Sequence, residues 1–417
     1  MSLASRKRNR RVGGGPHTNA YTVYTVCGYK TRTAHAQALA RDLSNAEYVP
    51  IVWDTFRDGT DNIFLGREQA KTRDGQLVPA TERVEKKLSG TTCVFLADFT
   101  NATTTMAQFH ALIALCETGI QALTIVLPYF PTGTMERVVE EGNVATAHTL
   151  SHMLSHLPLT VSRVRVMVYD LHTLQNRFYT SRHTHFDLNT AIPLLKQNVT
   201  LVPKQQKQQP NALTSHHYDC IVFPDDGANK RYGNLFPNVR TIICDKKRIG
   251  DKRVVIVKED SVPHMHASTH FLLVDDLTQS GGTLIECARC IAEQHTTPKH
   301  IAFTAFVTHG VFNGGNLNSF IQKRNSMWTP HTVPPKPQSS LSKHALQAVH
   351  HMQLMMTDSC PATVDSIHQL PLQEQKRFVV LPLLPLIACD LEYESLNAKH
   401  SKCKKKRKIQ TKIKVKP

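Results

Sequence analysis

The sequence predicts an α/β protein built on mainly parallel sheets and divided into two domains. Three observations predict it. Nine apolar runs recur along the 417 residues, each followed by helical or loop sequence, the alternation that lays crossover helices over a parallel sheet. That length is more than one hydrophobic core usually serves, so two domains are the natural expectation. Acids stand directly after several of the runs, at the carboxyl ends of strands, where open α/β sheets hold ligands.

In chain order the first four runs are YTVYTVCG (21–28), TCVFLADF (92–99), ALTIVLPYF (122–130) and RVRVMVYDL (163–171). The second half adds CIVFP (220–224), TIIC (241–244), RVVIV (253–257), FLLVDD (271–276) and HIAFTAFVTHG (300–310). Helices are expected between them, over 140–156 and 283–294 among others. Residues 196–215 are polar and rich in Gln and Pro. A linker there divides the chain into domains at 19–195 and 196–398. The Pro-rich stretch 323–345 reads as a flexible surface insertion. No internal repeat is visible.

The formal net charge of +17 sits at the ends. Residues 1–15 carry Arg6, Lys7, Arg8, Arg10 and Arg11, residues 399–417 carry ten Lys and Arg, and neither stretch holds an acid, so fifteen of the seventeen charges lie outside the body. Both ends lack the apolar residues that offset the entropy of ordering, so disordered tails are expected at 1–18 and 399–417. KCKKKRK suits a polyanion or an import receptor, whereas the nearly neutral body is not expected to bind nucleic acid. No apolar stretch reaches the ~18 residues of a membrane span. The basic N-terminus has no apolar segment behind it, so no secretory signal is expected. Ten cysteines are scattered, several within apolar runs (Cys93, Cys116, Cys220, Cys389). That suits free thiols in a reducing compartment; the cytoplasm is the expected location, with an organelle as the alternative.

The string FLLVDDLTQSGGT (271–283) carries the most chemistry. Asp275 and Asp276 end a buried strand, and Thr278, Ser280, Gly281, Gly282 and Thr283 turn into a helix. Backbone N–H groups and hydroxyls of such a turn wrap a phosphate, and the helix opening near Thr283 aims its positive end at the same point. The carboxylates then accept hydrogen bonds from vicinal ribose hydroxyls or hold a metal. A strand–turn–helix junction with a capping hydroxyl is the plain alternative; paired acids with Ser-Gly-Gly-Thr favour the ligand.

Other strand ends add to this. VYDLH (168–172) sets His172 past an apolar run, a position where a lone imidazole is more often structural. FPDDGANKR (223–231) repeats the acids as Asp225 and Asp226 before a Gly turn. An imidazole and a carboxylate from different strand ends can share one Mg²⁺, although that ion prefers oxygen ligands. CDKKRIGDKR (244–253) reads as a cation-dense loop after a buried strand. Phosphoryl transfer needs fixed positive charge, which makes Lys246 and Arg248 candidate clamps. LPYFPTGTMER (127–137) is a Thr/Gly/Pro-rich loop whose Arg137 could reach a polyphosphate, and VWDTFRDGTDNIF (52–64) sets aromatics beside Asp58, Gly59 and Thr60. There, an adenine-stacking ring competes with a core Trp/Phe pair above a DG turn. The Cys287–Cys290 spacing reads as packing and not zinc, and the groups His264–His266–His270 and His350–His351 as surface features.

Taken in order, these motifs resemble the ribose-phosphate diphosphokinase (phosphoribosyl-diphosphate synthetase) family, and within it the plant-type class II branch. The likeness runs from about Val23 to about Leu384, outside the insertion. It is carried by LPYFPTGTMER…EEGNVATA, YDLHTLQNRFY, FPDDGANKR, KKRIGDKR, LLVDDLTQSGGTLIEC, VTHGVF and TDSCPATV. It implies two similar phosphoribosyltransferase-like α/β domains, each with a central mainly parallel sheet flanked by helices, in a homo-oligomer with the active site near the domain interface. It also implies Mg²⁺ at His172 and Asp225 around the ATP phosphates, with catalysis by Lys246, Arg248 and His172. Ribose 5-phosphate would be held by Asp275 and Asp276 at its hydroxyls and by Thr278, Gln279, Ser280, Gly281, Gly282 and Thr283 at its phosphate. ATP would meet Phe56, Asp58, Thr60 and Arg137. The implied reaction moves the β,γ-diphosphoryl group of ATP to the anomeric hydroxyl of ribose 5-phosphate and releases AMP.

One departure stands out. Most class I members carry Arg-Gln-Asp where this chain has Thr134, Met135 and Glu136; the class II branch shares the FPTGT…ER pattern, with Arg137 the nearest cation. Two other readings compete. A type I phosphoribosyltransferase would use the 271–283 loop in a single domain and leave the YDLH, FPDDG and KKR loops without a task. A catalytically inactive regulatory subunit would have no reason to keep His172, Asp225, Lys246, Arg248 and both acids.

Overall fold

The computed structural model describes residues 22–66, 87–133, 135, 138, 140–202, 217–249, 252–257, 268–294, 300–326 and 343–392. Both basic tails, most of the expected linker and the centre of the Pro-rich insertion lie outside these residues.

Along the first half run β1 (Tyr24–Gly28), β2 (Ala46–Tyr48), β3 (Ile51–Thr55), β4 (Asp61–Leu65), β5 (Thr92–Leu96), β6 (Ala122–Val126), β7 (Val164–Tyr169) and β8 (Thr184–Asn189). Six of them form a sheet in the order β2-β1-β5-β6-β7-β8, parallel at every pairing. β3 and β4 stand apart from it as an antiparallel hairpin. The second half contains β9 (Thr200–Leu201), β10 (His217–Tyr218), β11 (Cys220–Phe223), β12 (Arg240–Ile249), β13 (Lys252–Val257), β14 (Ser268–Thr278), β15 (His300–Gly310), β16 (Gln353–Thr357) and β17 (Phe378–Leu381). Seven of these form the order β13-β12-β11-β14-β15-β16-β17, parallel except between β12 and β13.

All nine apolar runs are strands. Strands inside a parallel sheet are buried on both faces and so read as near-continuous apolar runs; Val94, Phe95, Ile221, Val222, Leu272 and Leu273 are fully buried. Each such side chain contributes roughly 1.5–3 kcal/mol on leaving water. The helix Ala102–Glu117 starts at a reciprocal cap, in which Asn101 Oδ1 accepts the Thr104 N–H and Thr104 Oγ1 accepts the Asn101 N–H. The helix Gly282–Gln294 buries Leu284, Ile285, Ala288 and Ile291.

One apolar cluster joins the sheets. Tyr24, Val26 and Leu39 of the first half share it with Ile221, Phe223 and Leu272 of the second, and with Leu383, Ile387 and Leu391 near the end of the described chain. The helix over 384–392 therefore returns to the first half. Its Asp390 accepts the Tyr169 hydroxyl at 2.7 Å, and Glu392 accepts the Ser44 N–H and hydroxyl at 2.9 and 2.8 Å.

Several expectations are corrected. The segment CDKKRI is not a loop: β12 runs on to Ile249 and pairs antiparallel with β13, Lys246 opposite Val255 and Arg248 opposite Arg253. The helix expected from 140 begins at Thr146. The stretch expected as linker begins inside the helix Ile192–Asn198 and includes β9. His270 is a core residue, not a surface one: it is buried, Nε2 lies 3.1 Å from Thr304 Oγ1, and its ring packs on Tyr218. All nine described cysteines are free, and seven are buried.

Candidate active site

In the second sheet the strand order reverses between β11 and β14, the switch point at which parallel sheets open a crevice beyond their carboxyl ends. A cavity of about 400 Å³ opens there. Asp225, Gly227, Arg231 and Tyr232 line it from beyond β11, residues 275–284 from the end of β14, and His172 from beyond β7 of the other sheet.

The 275–283 segment is held by its own polar groups. The Asp276 N–H donates to Asp275 Oδ1 at 3.0 Å, the Leu277 N–H to Asp276 Oδ1 at 2.7 Å, and the Gly281 N–H to Thr278 Oγ1 at 3.1 Å. Gly281 takes a φ of +66°, and a Cβ added to it would lie 2.1 Å from Cδ2 of the buried Phe320. Only glycine fits this turn. The first helical bond beyond it joins the Ile285 N–H to the Gly281 carbonyl. The N–H groups of Gly282, Thr283 and Leu284 thus lack acceptors within their helix, and all three residues line the cavity. Such a helix start receives an anion.

A network of charges ties this loop to the first sheet. Asp276 Oδ2 accepts from His172 Nδ1 at 2.9 Å and from Arg231 Nη1 at 3.1 Å. The same Nη1 donates to the Leu171 carbonyl at 2.8 Å, while Arg231 Nη2 lies 3.5 Å from Asp170 Oδ1. Asp170 is 1 % exposed, with a left-handed φ of 39°. Its carboxylate accepts from Tyr232 Oη at 3.0 Å, Thr308 Oγ1 at 2.5 Å and the Ala191 N–H at 2.9 Å. Burial, followed by the Asp170 charge, raises the Tyr232 phenol well above its ordinary pKa. A carboxylate this deep is tolerated because donors from several segments compensate its desolvation.

Of the expected residues, the structure gathers His172, Asp225, Asp275, Asp276, Thr278, Gln279, Ser280, Gly281, Gly282 and Thr283 around the one cavity. Asp225 also caps the helix Asp226–Tyr232, its Oδ1 accepting the Ala228 N–H at 3.0 Å. Lys246 and Arg248 lie on β12, the strand after β11. Thr134, Glu136 and Arg137 fall outside the described residues. Phe56, Asp58 and Thr60 are not brought to the cavity: they form the turn of the β3–β4 hairpin, with Phe56 56 % exposed. Asp58 Oδ1 accepts the Thr60 hydroxyl at 2.7 Å and its N–H at 3.0 Å, which holds the Asp58 carboxyl below the usual range. Below the turn, Trp53 packs on Tyr29 and Phe95 and donates to the Gly28 carbonyl, as a core residue would.

The sequence reading did not single out Arg231, Asp170, Tyr232, Thr308 or His309. Arg231 had a signal, six residues after Asp225 within the string FPDDGANKR. The others make their contacts across sheets, which local patterns do not register.

Among the described residues no three His, Cys, Asp or Glu side chains form a closed metal cage. One imidazole and the carboxylates of Asp225, Asp275 and Asp276 around an open cavity of about 400 Å³ are a donor set of another kind. They fit a Mg²⁺ that keeps several waters and arrives on a polyphosphate.

No family model matches the chain. It is 35% identical over 82% of its length to ribose-phosphate pyrophosphokinase 4 of Oryza sativa subsp. japonica, 87% of which is covered. It is 33% identical over 91% of its length to the chloroplastic ribose-phosphate pyrophosphokinase 3 of the same plant, 77% of which is covered. Among solved structures, the phosphoribosylpyrophosphate synthetase of Mycobacterium smegmatis superposes with a TM-score of 0.59 at 17% identity, covering 90% of this chain and 100% of that one. At that identity the likeness shows the fold alone.

Proposed function

The chain belongs to the ribose-phosphate pyrophosphokinases, and from that premise we propose how its residues divide the work of one diphosphoryl transfer. The reaction moves the diphosphoryl group of ATP to the anomeric hydroxyl of ribose 5-phosphate and yields 5-phospho-α-D-ribose 1-diphosphate and AMP. The observation that carries the assignment of residues is the contact of His172 and Arg231 with Asp276 across one cavity. It sets a phosphate-binding turn from one sheet against a polyphosphate-binding strand end from the other.

Residues 19–195 form the ATP side and 196–398 the ribose side. Thr278 to Thr283 hold the 5-phosphate through N–H groups and hydroxyls. Asp275 and Asp276 receive the ribose hydroxyls, and Asp276 also couples the two sides. His172 and Asp225 would hold Mg²⁺, which neutralises charge on the polyphosphate when bound. Lys246 and Arg248 supply fixed positive charge where negative charge develops on the phosphoryl oxygens and the leaving AMP, and binding holds the anomeric oxygen in line. Arg231, paired with Asp170 and Asp276, is a cation already anchored in the cavity wall. Phe56, Asp58 and Thr60 stand away from the cavity of their own chain, so their adenine contact comes from a second copy in a homo-oligomer.

The type I phosphoribosyltransferase reading is not favoured, because the relatives match over both halves of the chain and the cavity uses residues of both sheets. No described helix is long and apolar enough to cross a membrane. Buried thiols suit the cytoplasm, and equally the interior of a plastid; a tagged chain imaged in cells reads out the compartment. Incubating the purified chain with ATP, Mg²⁺ and ribose 5-phosphate tests the function. AMP and phosphoribosyl diphosphate appear in equal amounts, and neither forms when ribose 5-phosphate is omitted. Absence of AMP under every metal and phosphate condition would return the chain to the regulatory-subunit reading.

A further inference from the structure

Two consecutive residues at the end of β15 grip two consecutive residues at the end of β7. Thr308 donates its hydroxyl to the Asp170 carboxylate at 2.5 Å, and His309 Nε2 lies 2.8 Å from the Tyr169 carbonyl. His309 is 2 % exposed and stands opposite Leu277 in the β14–β15 register, between the positions of Asp276 and Thr278. One imidazole therefore touches the strand end that leads to His172 while its backbone is laddered to the strand that carries the ribose loop.

The hydrogen bonds assign the proton. A carbonyl only accepts, so Nε2 must carry the ring N–H and donate it to Tyr169. Nδ1 lies 2.8 Å from Ser359 Oγ, which is also 3.1 Å from the Thr308 carbonyl. That carbonyl also receives the Thr357 hydroxyl at 2.7 Å, so the single Ser359 proton has two acceptors in reach, and a neutral ring protonated at Nε2 takes it at Nδ1, the shorter of the two contacts. Burial favours the same neutral state. Ser359 is itself fixed, since its carbonyl accepts the buried Arg32 guanidinium and its N–H donates to Thr357 Oγ1. The ring of Tyr129, from the loop after β6, closes over the imidazole at 5.1 Å.

We propose that His309 is a positioning residue for the diphosphoryl transfer: through the Tyr169 carbonyl, and oriented by Ser359, it fixes the strand end that delivers Asp170 and His172 to the ribose loop. This rests on the functional reading above. It adds that the polyphosphate side is held in register by a residue touching neither substrate. A ring that served only as core packing would be replaceable by another of similar volume. A ring that positions needs the donor at Nε2.

The test compares His309→Phe, which keeps volume and loses both hydrogen bonds, with His309→Gln, whose amide N–H reaches the position of Nε2. In the Phe variant kcat/KM for ATP falls about tenfold and the calorimetric Kd for ATP in Mg²⁺ rises about fivefold, while the Kd for ribose 5-phosphate stays within about twofold. The Gln variant recovers kcat/KM to within about threefold of the parent. If the Phe variant does not fold, Ser359→Ala frees the orientation of an intact imidazole and shows the same split between ATP and ribose 5-phosphate at about threefold, with Ser359→Thr restoring it. A folded Phe variant with parental constants overturns the proposal, and so does equal impairment of the Phe and Gln variants with both ligands weakened alike. A parent chain that makes no AMP counts against the functional reading instead, and the calorimetric split still decides the role of His309.

Discussion

Gly281→Ala tests the phosphate turn at the atom where it is tightest. The substitution demands a left-handed backbone at φ +66° from a residue with a Cβ, at about 1–2 kcal/mol. It also drives that Cβ to 2.1 Å from the Phe320 ring. The ring cannot swing clear: it is fully buried, packs between Phe312 and Phe378, and carries the Arg324 guanidinium 5.6 Å from its centre. Overpacking at such a site costs about 1–3 kcal/mol. The sum, about 2–5 kcal/mol, lowers the unfolding midpoint by about 5–15 °C in a domain of this size. Thermal unfolding by circular dichroism measures it, with ribose 5-phosphate affinity taken by calorimetry below the transition. Affinity falls because the turn that presents the N–H groups of Gly282 to Leu284 must shift. In a Phe320→Leu background the ring contact is gone, and adding Gly281→Ala costs only the backbone term, about 1–2 kcal/mol beyond what Phe320→Leu costs alone. A Gly281→Ala chain within about 2 °C of the parent and with parental affinity would refute the account of this turn.

Three further outcomes are expected. In the role proposed for it, Lys246 supplies charge mainly in the transition state, so Lys246→Ala lowers kcat by at least about a hundredfold and changes the ribose 5-phosphate dissociation constant little; steady-state kinetics beside calorimetry separate the two. Asp170→Asn removes the buried charge facing Arg231 and destabilises the fold by about 3 kcal/mol, read by urea unfolding. His309, whose pKa burial pushes below the ordinary 6.5, stays neutral in the folded chain while the unfolded chain takes up the proton. Its contribution is whole above about pH 6.5 and drains as the pH falls toward the folded pKa, with a slope up to about 1.4 kcal/mol per pH unit. Unfolding curves from pH 5.5 to 7.5 on the parent and on His309→Gln isolate that slope as their difference.

What was legible in the sequence was the longer apolar runs. CIVFP and FLLVDD read as central parallel strands, and the acids fall near their carboxyl ends, Asp225 just past β11 and Asp275 and Asp276 in the last residues of β14, which runs on to Thr278. Two of the strands that went unread are half-buried or polar: every residue of β4 is only partly buried, and THFDLN in β8 mixes charged and apolar residues; β16 is buried from Leu354 to Thr357 and went unread because its apolar run, LMM, is only three residues long. β12 extends through DKKRI because its edge pairs with β13 and not because its side chains are apolar, so a pattern of hydrophobicity read it as a loop. The cavity wall formed by residues 275–284 lay in one contiguous string, so its residues could be singled out from the sequence alone. The network of Asp170, Arg231, Tyr232, Thr308 and His309 could not, since each of its bonds joins residues far apart in the chain. The same holds for the helix over 384–392, which packs on the half of the molecule farthest from it in sequence.

The fate of the β-phosphorus tests the central claim most directly. With ATP labelled at the β-position, Mg²⁺ and ribose 5-phosphate, the purified chain should move the label to the sugar product in amounts equal to the AMP formed. Label that remains on the nucleotide as ADP would mean transfer of a single phosphoryl group and would contradict the account.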